Sequence, residues 1–275
     1  MDFKNYDTVS PQVRVQIQSV CEIWRRHLQG DLVGVYVHGS MALNCFREGT
    51  SDVDLLVVVG RRIPREERLA IARELLAVDG NPCPLELSAI FEGDLKPWTH
   101  PTICQFHYSD YHRENYRRLL AGELTEYFIV DRDFGDPDIA CHVRLTRQCG
   151  VCIYGKPVLE AFPPVPEADF LDSLCRDVDD YDFAAYQPRY FASNILILGR
   201  ILSYLKERRI LSKYEAGVWT AEHVPAGCRS IVAEALRSWY AGEPMEKTDP
   251  AALEQLRQYL IDEIHENSGS MKKRQ

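Results

Sequence analysis

The chain has 275 residues, is 45% hydrophobic and carries a formal net charge of -9, from 41 acidic and 32 basic side chains. That length and apolar content support two modest folded cores. The acidic balance argues against nucleic acid, which is bound through clustered Lys and Arg that displace counterions, and suits a small cationic partner. The longest aliphatic run, Leu55 to Val59, is far too short to cross a bilayer, and the first ten residues lack the pattern of a secretory leader. Nine cysteines without framework spacing read as reduced thiols. A cytoplasmic protein without a membrane partner is expected.

Residues 10 to 29 place Val13, Ile17, Val20, Cys21 and Trp24 near helical spacing and stop at Gly30 and Asp31, which predicts an amphipathic helix. Two β-branched runs follow, Leu32 to Val37 and Asp52 to Val59, and read as buried strands separated by a polar loop. Arg65 to Val78 carries Leu69, Ala72, Leu75 and Leu76 on one helical face, and Gly80-Asn81-Pro82 breaks it before a third strand over Leu85 to Phe91. CHVRLTRQCGVC, from Cys141, reads as a helix running into a strand, so its C-x-x-C pair of Cys149 and Cys152 is assigned no metal. Prolines at 157, 163, 164 and 166 mark a change from alternating helices and strands to helices alone. The expected division is an α/β (α+β) domain over 1–157, a helical bundle over 166–265 and a polar, disordered tail over 266–275. Helices in the bundle are expected near 168–182, 190–208, 212–222, 228–241 and 250–265.

The strongest chemical signal is Gly39-Ser40 at the end of the first strand, then eleven residues, then Asp52-Val53-Asp54 opening the second. Alternate strand residues share a face, so Asp52 and Asp54 project together while Val53 and Leu55 enter the core. Two carboxylates in so small a volume repel unless a divalent cation offsets them, and Mg²⁺ accepts such oxygens in an octahedral shell. Glu86 has the opposite parity to Leu85 and Leu87, so it joins the same face if its strand lies beside the second. It is then a third carboxylate and the candidate general base. Gly39 leaves backbone N–H groups open to phosphate, and Ser40 adds a hydroxyl donor. Each short motif alone is an ordinary turn, whereas two at successive strand junctions form a cradle for a metal–triphosphate.

HGSMALNCFREGTSDVDLLVVV, from His38 to Val59, resembles the DNA polymerase β-like nucleotidyltransferase superfamily, whose pattern is G-S, a spacer of about ten residues and D-x-[D/E]. More narrowly, residues 10 to 265 are similar to the aminoglycoside adenylyltransferases that inactivate streptomycin and spectinomycin. PLELSAI matches the stretch with that family's catalytic glutamate, and KPWTHPTICQFHYSDY resembles its P-W and Q-F block. The resemblance implies a mixed-sheet nucleotidyltransferase domain followed by an all-α bundle. It also implies ATP as co-substrate with Mg²⁺, and transfer of AMP to a hydroxyl of a small cationic acceptor. Asp52, Asp54 and Glu86 are thereby assigned to the metal, Glu86 to catalysis, and Gly39, Ser40 and Ser51 to the nucleotide. RILSYLKERRILSKYEAGVWTAEHVP resembles the family segment whose lysine contacts the triphosphate, which points to Lys213, with Arg200 as a second candidate. EALRSWYAGE resembles the segment whose tyrosine lies against the base, which points to Tyr240.

On the acceptor side the pattern departs. The family's tryptophan and acidic residues before the long helix are not reproduced in DYDFAAYQPRYFASN. In their place stand Asp177, Asp179, Asp180 and Asp182 beside Tyr181 and Tyr186, a cluster suited to ammonium groups against an aromatic wall; the plainer reading is a solvated acidic helix face. Tyr111, in the Q-F block, is a further candidate for that wall, and core packing is its plainer reading. His38 adjoins the Gly-Ser motif and is a candidate phosphate contact, while His100, His107 and His112 read as structural or surface residues. The alternative keeps the chemistry and changes the acceptor to a protein, an RNA end or another metabolite.

Overall fold

The computed structural model describes residues 3–181, 188–245 and 249–272. Its chain divides into two units, Met1–Ser173 and Leu174–Gln275. The first begins with α1 (Pro11–Leu28), capped by the Ser10 hydroxyl accepting from the Val13 N–H, with Pro11 preset for the first turn. Then come β1 (Leu32–Val37), the short α2 (Gly39–Ala42), β2 (Val53–Val59), α3 (Arg65–Val78) and β3 (Leu85–Phe91). They are followed by α4 (Glu92–Leu95), β4 (Thr102–Cys104), β5 (Phe106–Tyr108), α5 (Arg113–Ala121), α6 (Phe128–Asp131) and β6 (Phe134–Asp136). The last elements are α7 (Ile139–Cys149), β7 (Val151–Gly155), α8 (Val158–Ala161) and α9 (Glu167–Cys175).

The strands form a mixed five-stranded sheet in the order β5-β3-β2-β1-β7, in which only β2 and β3 run parallel, and β4 pairs with β6 in a separate ladder. Strand parity separates the two faces. Val35, Val37, Val53, Leu55, Val57, Leu85, Leu87 and Ala89 pack with α1 and α3 in one buried cluster that includes Ile17, Trp24, Ile71 and Leu75. Tyr36, Leu56, Val58, Ser88 and Ile90 are buried on the opposite face, where Phe162 lies edge-on to Tyr36 at 4.8 Å.

Two polar ties hold β3 where the sheet needs it. The Gln16 amide donates to the carbonyls of Cys83 and Val78 and accepts from the Cys83 N–H, joining α1 to the turn before β3. Asp79 accepts from the Leu85 N–H at 2.9 Å, the Tyr108 hydroxyl at 2.7 Å and Arg113 Nε at 2.6 Å. One buried carboxylate therefore fixes the start of β3, the end of β5 and the first turn of α5.

The first unit extends past the proline cluster, to Ser173, rather than ending at 157. The reason is side-chain anchoring: Asp169 accepts from Trp98 Nε1, Asp172 pairs with His100, and the Ser173 hydroxyl accepts from the Cys141 N–H. α9 also stops at Cys175 instead of reaching 182, and a single 3₁₀ turn follows over Val178–Asp180 among the described residues. Several aspartates at a helix C-terminus oppose the helix dipole and favour local turns.

In the second unit, α10 (Pro188–Glu207), α11 (Lys213–His223), α12 (Arg229–Ala241) and α13 (Pro250–Lys272) pack on one another. The approach is close at two glycines: a Cβ on Gly199 would meet Thr220 Oγ1 at 2.2 Å, and one on Gly217 would meet Leu196 and Leu236 at 2.6 Å. α11 starts with a reciprocal capping box between Ser212 and Glu215. α13 runs through Lys272, past residue 266 where a disordered tail is expected, because each residue added to an established helix gains a backbone hydrogen bond. No helix among the described residues is long and apolar enough to cross a membrane.

Candidate active site

Gly39 opens α2 at the C-terminal end of β1 with φ +60, and a Cβ there would lie 1.8 Å from Asp54 Oδ2. Both the backbone conformation and the space exclude any side chain. This close approach lets the Ser40 N–H donate to Asp54 Oδ2 at 3.3 Å, while the His38 N–H donates to the Asp54 carbonyl at 3.0 Å. The G-S turn is thus tied directly to the D-x-D strand. The Ser40 hydroxyl oxygen is buried and has no hydrogen-bond partner among the described residues. A buried hydroxyl left unsatisfied in the protein is a place for an outside oxygen.

Asp54 and Glu86 are direct partners in the parallel β2–β3 register, both half-buried, with Val53, Leu55, Leu85 and Leu87 buried on the other face. Asp52 is exposed and precedes the first ladder residue of β2. Among the described residues no three His, Cys, Asp or Glu side chains are grouped closely enough to hold a metal by themselves. The expected convergence of three carboxylates is therefore a pair, with Asp52 at the strand entrance. A pair suits Mg²⁺, which keeps several waters and takes further oxygens from substrate phosphates. Ser51 serves the turn: its hydroxyl accepts from the Arg47 N–H at 3.1 Å and its N–H donates to the Arg47 carbonyl.

The same sheet face carries polar groups that sequence reasoning set aside. Ser88 lies two residues beyond Glu86 and opposite His107 in the β3–β5 ladder, and its hydroxyl is 2.9 Å from His107 Nδ1. Burial lowers the His107 imidazole to about 3, with His112 and His142 adding to the effect. His38 is buried, with its ring edge-on to His142 at 4.8 Å, and desolvation and that neighbour hold it well below the usual imidazole range. Burial raises the Asp136 carboxyl; the nearby His142 opposes the shift, and the charges of Asp138 and Glu86 reinforce it. Asp136 thus lies within electrostatic reach of Glu86, although its strand, β6, belongs to the smaller ladder. Tyr111 is 85% exposed and edge-on to His112, so the core-packing reading of that residue is set aside.

In the second unit Lys213 is the first residue of α11, where its ammonium donates to Ser193 Oγ at 3.2 Å and lies 4.2 Å from the centre of the Trp239 ring. Trp239 is half-buried and was not singled out in the sequence, since a tryptophan in an apolar helical pattern reads as core. Tyr240 is 7% exposed and meets Tyr214 edge-on at 5.3 Å. Arg200 is half-buried on α10. Asp179 pairs with His265 at 2.8 Å on the surface, Tyr181 is half-buried, and Asp182 and Tyr186 lie outside the described residues.

A model of the nucleotidyltransferase domain matches residues 13–107, and a model of the aminoglycoside adenylyltransferase C-terminal domain matches residues 160–263. The chain carries a nucleotidyltransferase domain followed by an aminoglycoside adenylyltransferase C-terminal domain. It is 26% identical over 264 residues to an aminoglycoside (3'') (9) adenylyltransferase of Shigella flexneri, an alignment covering 94% of this chain and 97% of that one. A spectinomycin 9-adenylyltransferase of Enterococcus faecalis is 26% identical over 245 residues, covering 85% and 89% of the two chains. The solved structure of an enterococcal spectinomycin adenyltransferase with ATP and spectinomycin superposes with a TM-score of 0.77 at 23% identity, covering 91% of this chain and 98% of that one. The mixed sheet and helical second unit are thus the adenylyltransferase fold, and the chain is an enzyme of the nucleotidyltransferase class.

Proposed function

We propose that this enzyme moves AMP from ATP to a hydroxyl of an aminoglycoside or aminocyclitol, of the streptomycin or spectinomycin kind, and releases pyrophosphate. The observation that carries the reading is the register pairing of Asp54 with Glu86 beside a Gly39 turn that only glycine can make. Gly39 and Ser40 receive the phosphates, and the buried, unpartnered Ser40 hydroxyl supports this because a phosphate oxygen would satisfy it. Asp54 and Glu86 would hold Mg²⁺ together with phosphate oxygens, with Asp52 at the strand entrance as the further carboxylate. When bound, the ion neutralises triphosphate charge and polarises the phosphoryl oxygens.

The Glu86 carboxylate takes the proton from the acceptor hydroxyl as that oxygen bonds to the α-phosphorus. The bond from the α-phosphorus to the bridging oxygen breaks, and its electron pair leaves with pyrophosphate. Lys213 is the proposed triphosphate contact of the helical unit, with Arg200 as a second cation and Tyr240 against the base. The net charge of -9 and the acidic run from Asp177 to Asp182 support a cationic acceptor. The site of action is the cytoplasm, where ATP is made available, and nine unbridged cysteines support it.

The test is pyrophosphate release from ATP and Mg²⁺ with streptomycin, spectinomycin, kanamycin or no acceptor, with Glu86→Gln as control. Acceptor-dependent release that the substitution abolishes is expected. Release by none of the three drugs, with Mg²⁺-ATP still bound, would move the reading to another acceptor.

A further inference from the structure

His107 is a half-buried histidine on the sheet face that carries Asp54 and Glu86, and the reaction described above makes no use of it. The register puts it there: Asp54 pairs with Glu86 and Leu56 with Ser88 across β2 and β3, and Ser88 pairs with His107 across β3 and β5. Residues two apart along a strand share a face, so Glu86 and Ser88 point the same way, with His107 beside Ser88.

The ring is held from several directions. Nδ1 is hydrogen-bonded to Ser88 Oγ at 2.9 Å, the His112 ring lies edge-on at 5.3 Å, and the Tyr116 hydroxyl donates to the His107 carbonyl. His112 is itself hydrogen-bonded through Nδ1 to the Tyr127 hydroxyl. With Nδ1 spent on Ser88, Nε2 is the ring nitrogen left, and it has no hydrogen bond among the described residues. The surroundings are polar and mutually felt: His142 acts electrostatically on both His107 and Asp136, and Glu86 acts on Asp136. Nε2 is not among the buried unpartnered side-chain atoms, so this nitrogen of the half-buried ring remains within reach of an incoming hydroxyl.

We propose that His107 is a specificity-determining residue for the acceptor: Ser88 and His112 orient its ring so that Nε2 makes one hydrogen bond to a hydroxyl of a polyhydroxylated aminocyclitol or aminoglycoside seated beside Glu86. A hydroxyl both donates and accepts, so it serves whichever tautomer Ser88 selects. The imidazole is kept neutral by its burial and therefore offers a hydrogen bond without repelling a cationic acceptor. The inference rests on the reading that the acceptor is such a compound.

The experiment compares full-length His107→Ala, His107→Gln, His107→Asn and Ser88→Ala with the parent, measuring kcat and KM for the drug that the parent turns over, and separately KM for ATP. The Gln amide reaches the Nε2 position and the Asn amide only the Nδ1 position. His107→Ala and His107→Asn should raise KM for the drug about tenfold, the effect of one lost hydrogen bond, with KM for ATP within about twofold of the parent. His107→Gln should recover most of the drug affinity, and Ser88→Ala should give a smaller rise of about threefold. If a variant fails to fold, the remaining three decide, since the contrast between reaching and not reaching Nε2 is carried by the Gln, Asn and Ser88 variants together. Unchanged drug KM in all folded variants, or parallel changes in drug and ATP KM, overturns the role of His107 while leaving the acceptor class standing. No drug-dependent release by the parent overturns the acceptor class, and this inference with it.

Discussion

The β2–β3 ladder of the first unit and the Lys213 patch of the second hold their candidate residues by different means. In the ladder, backbone geometry does the placing: a two-residue side-chain period and one register put Asp54 and Glu86 opposite each other, and the buried Val53, Leu55, Leu85 and Leu87 lock that register. A slip of one residue would drive the slipped strand's carboxylate into the core, so alternatives are strongly disfavoured. In the patch, placement comes from neighbouring helices. Lys213 is already engaged by Ser193 and Trp239, and Tyr240 is enclosed against Tyr214. Side chains on a ladder are therefore committed by the strand, whereas those on packed helices are committed by whatever the bundle brings beside them.

The largest effect that probes this contrast is Glu86→Gln, expected to lower kcat by about 10²–10⁴-fold while calorimetry still detects Mg²⁺-ATP binding, as loss of a proton acceptor requires. Near-parental turnover would break the case for the ladder. Gly39→Ala comes next. It must place a Cβ on the Asp54 carboxylate at positive φ, and denaturant melts should report a loss of roughly 1–3 kcal/mol, whereas Gly30→Ala, with open space around it, should stay within about 0.5 kcal/mol. Equal stability of the two variants would remove the argument that only glycine fits the turn.

Lys213→Ala is expected to raise KM for ATP about tenfold, and Lys213→Arg less, because a charge-assisted contact is lost in one and displaced in the other. An unchanged KM for ATP would assign Lys213 to the packing of Ser193 and Trp239 alone. Thermal stability should also depend on pH through the histidines of the first unit. His107, at about 3, and His38 stay neutral in the folded chain while unfolded imidazoles titrate near 6.5, so their stabilisation is complete above pH of about 6.5. It declines as pH falls toward about 3, because the unfolded chain takes up protons that the folded chain refuses. Melts at pH 7.5, 6 and 5 should show Tm falling, with a shallower fall for His107→Gln; a flat Tm for the parent over that range would contradict the burial argument. The smallest effect is Asp179→Asn, whose carboxylate is 72% exposed and pairs with His265 at the surface. KM for the acceptor should change by less than about threefold, since solvent screens such a charge.

Several of these features are legible without a fold. The strands Leu32–Val37 and Leu85–Phe91 and the helix Arg65–Val78 have the bounds their apolar periods predict, because burial on one face writes a local pattern into the chain. Gly39, Ser40, Asp54 and Glu86 stand out for the same reason: strand junctions and parity are local properties. Phe106–Tyr108 was legible as a block of residues and not as a strand, since three residues are too few to establish a period. The unit boundary at Ser173 was hidden because Trp98 and His100 reach it from some seventy positions earlier in the chain.

By itself, then, the sequence determined the alternation of helices and strands and the parity of Asp54 and Glu86, each set by neighbours within a few residues. Tertiary structure alone decided that β3 lies parallel to β2 with Asp54 facing Glu86, that Ser88 meets His107, that Asp136 comes within reach of Glu86, and that Lys213 rests on Trp239. These are pairings between residues far apart along the chain. Their partners are chosen by which surfaces bury together, and no local period encodes that choice.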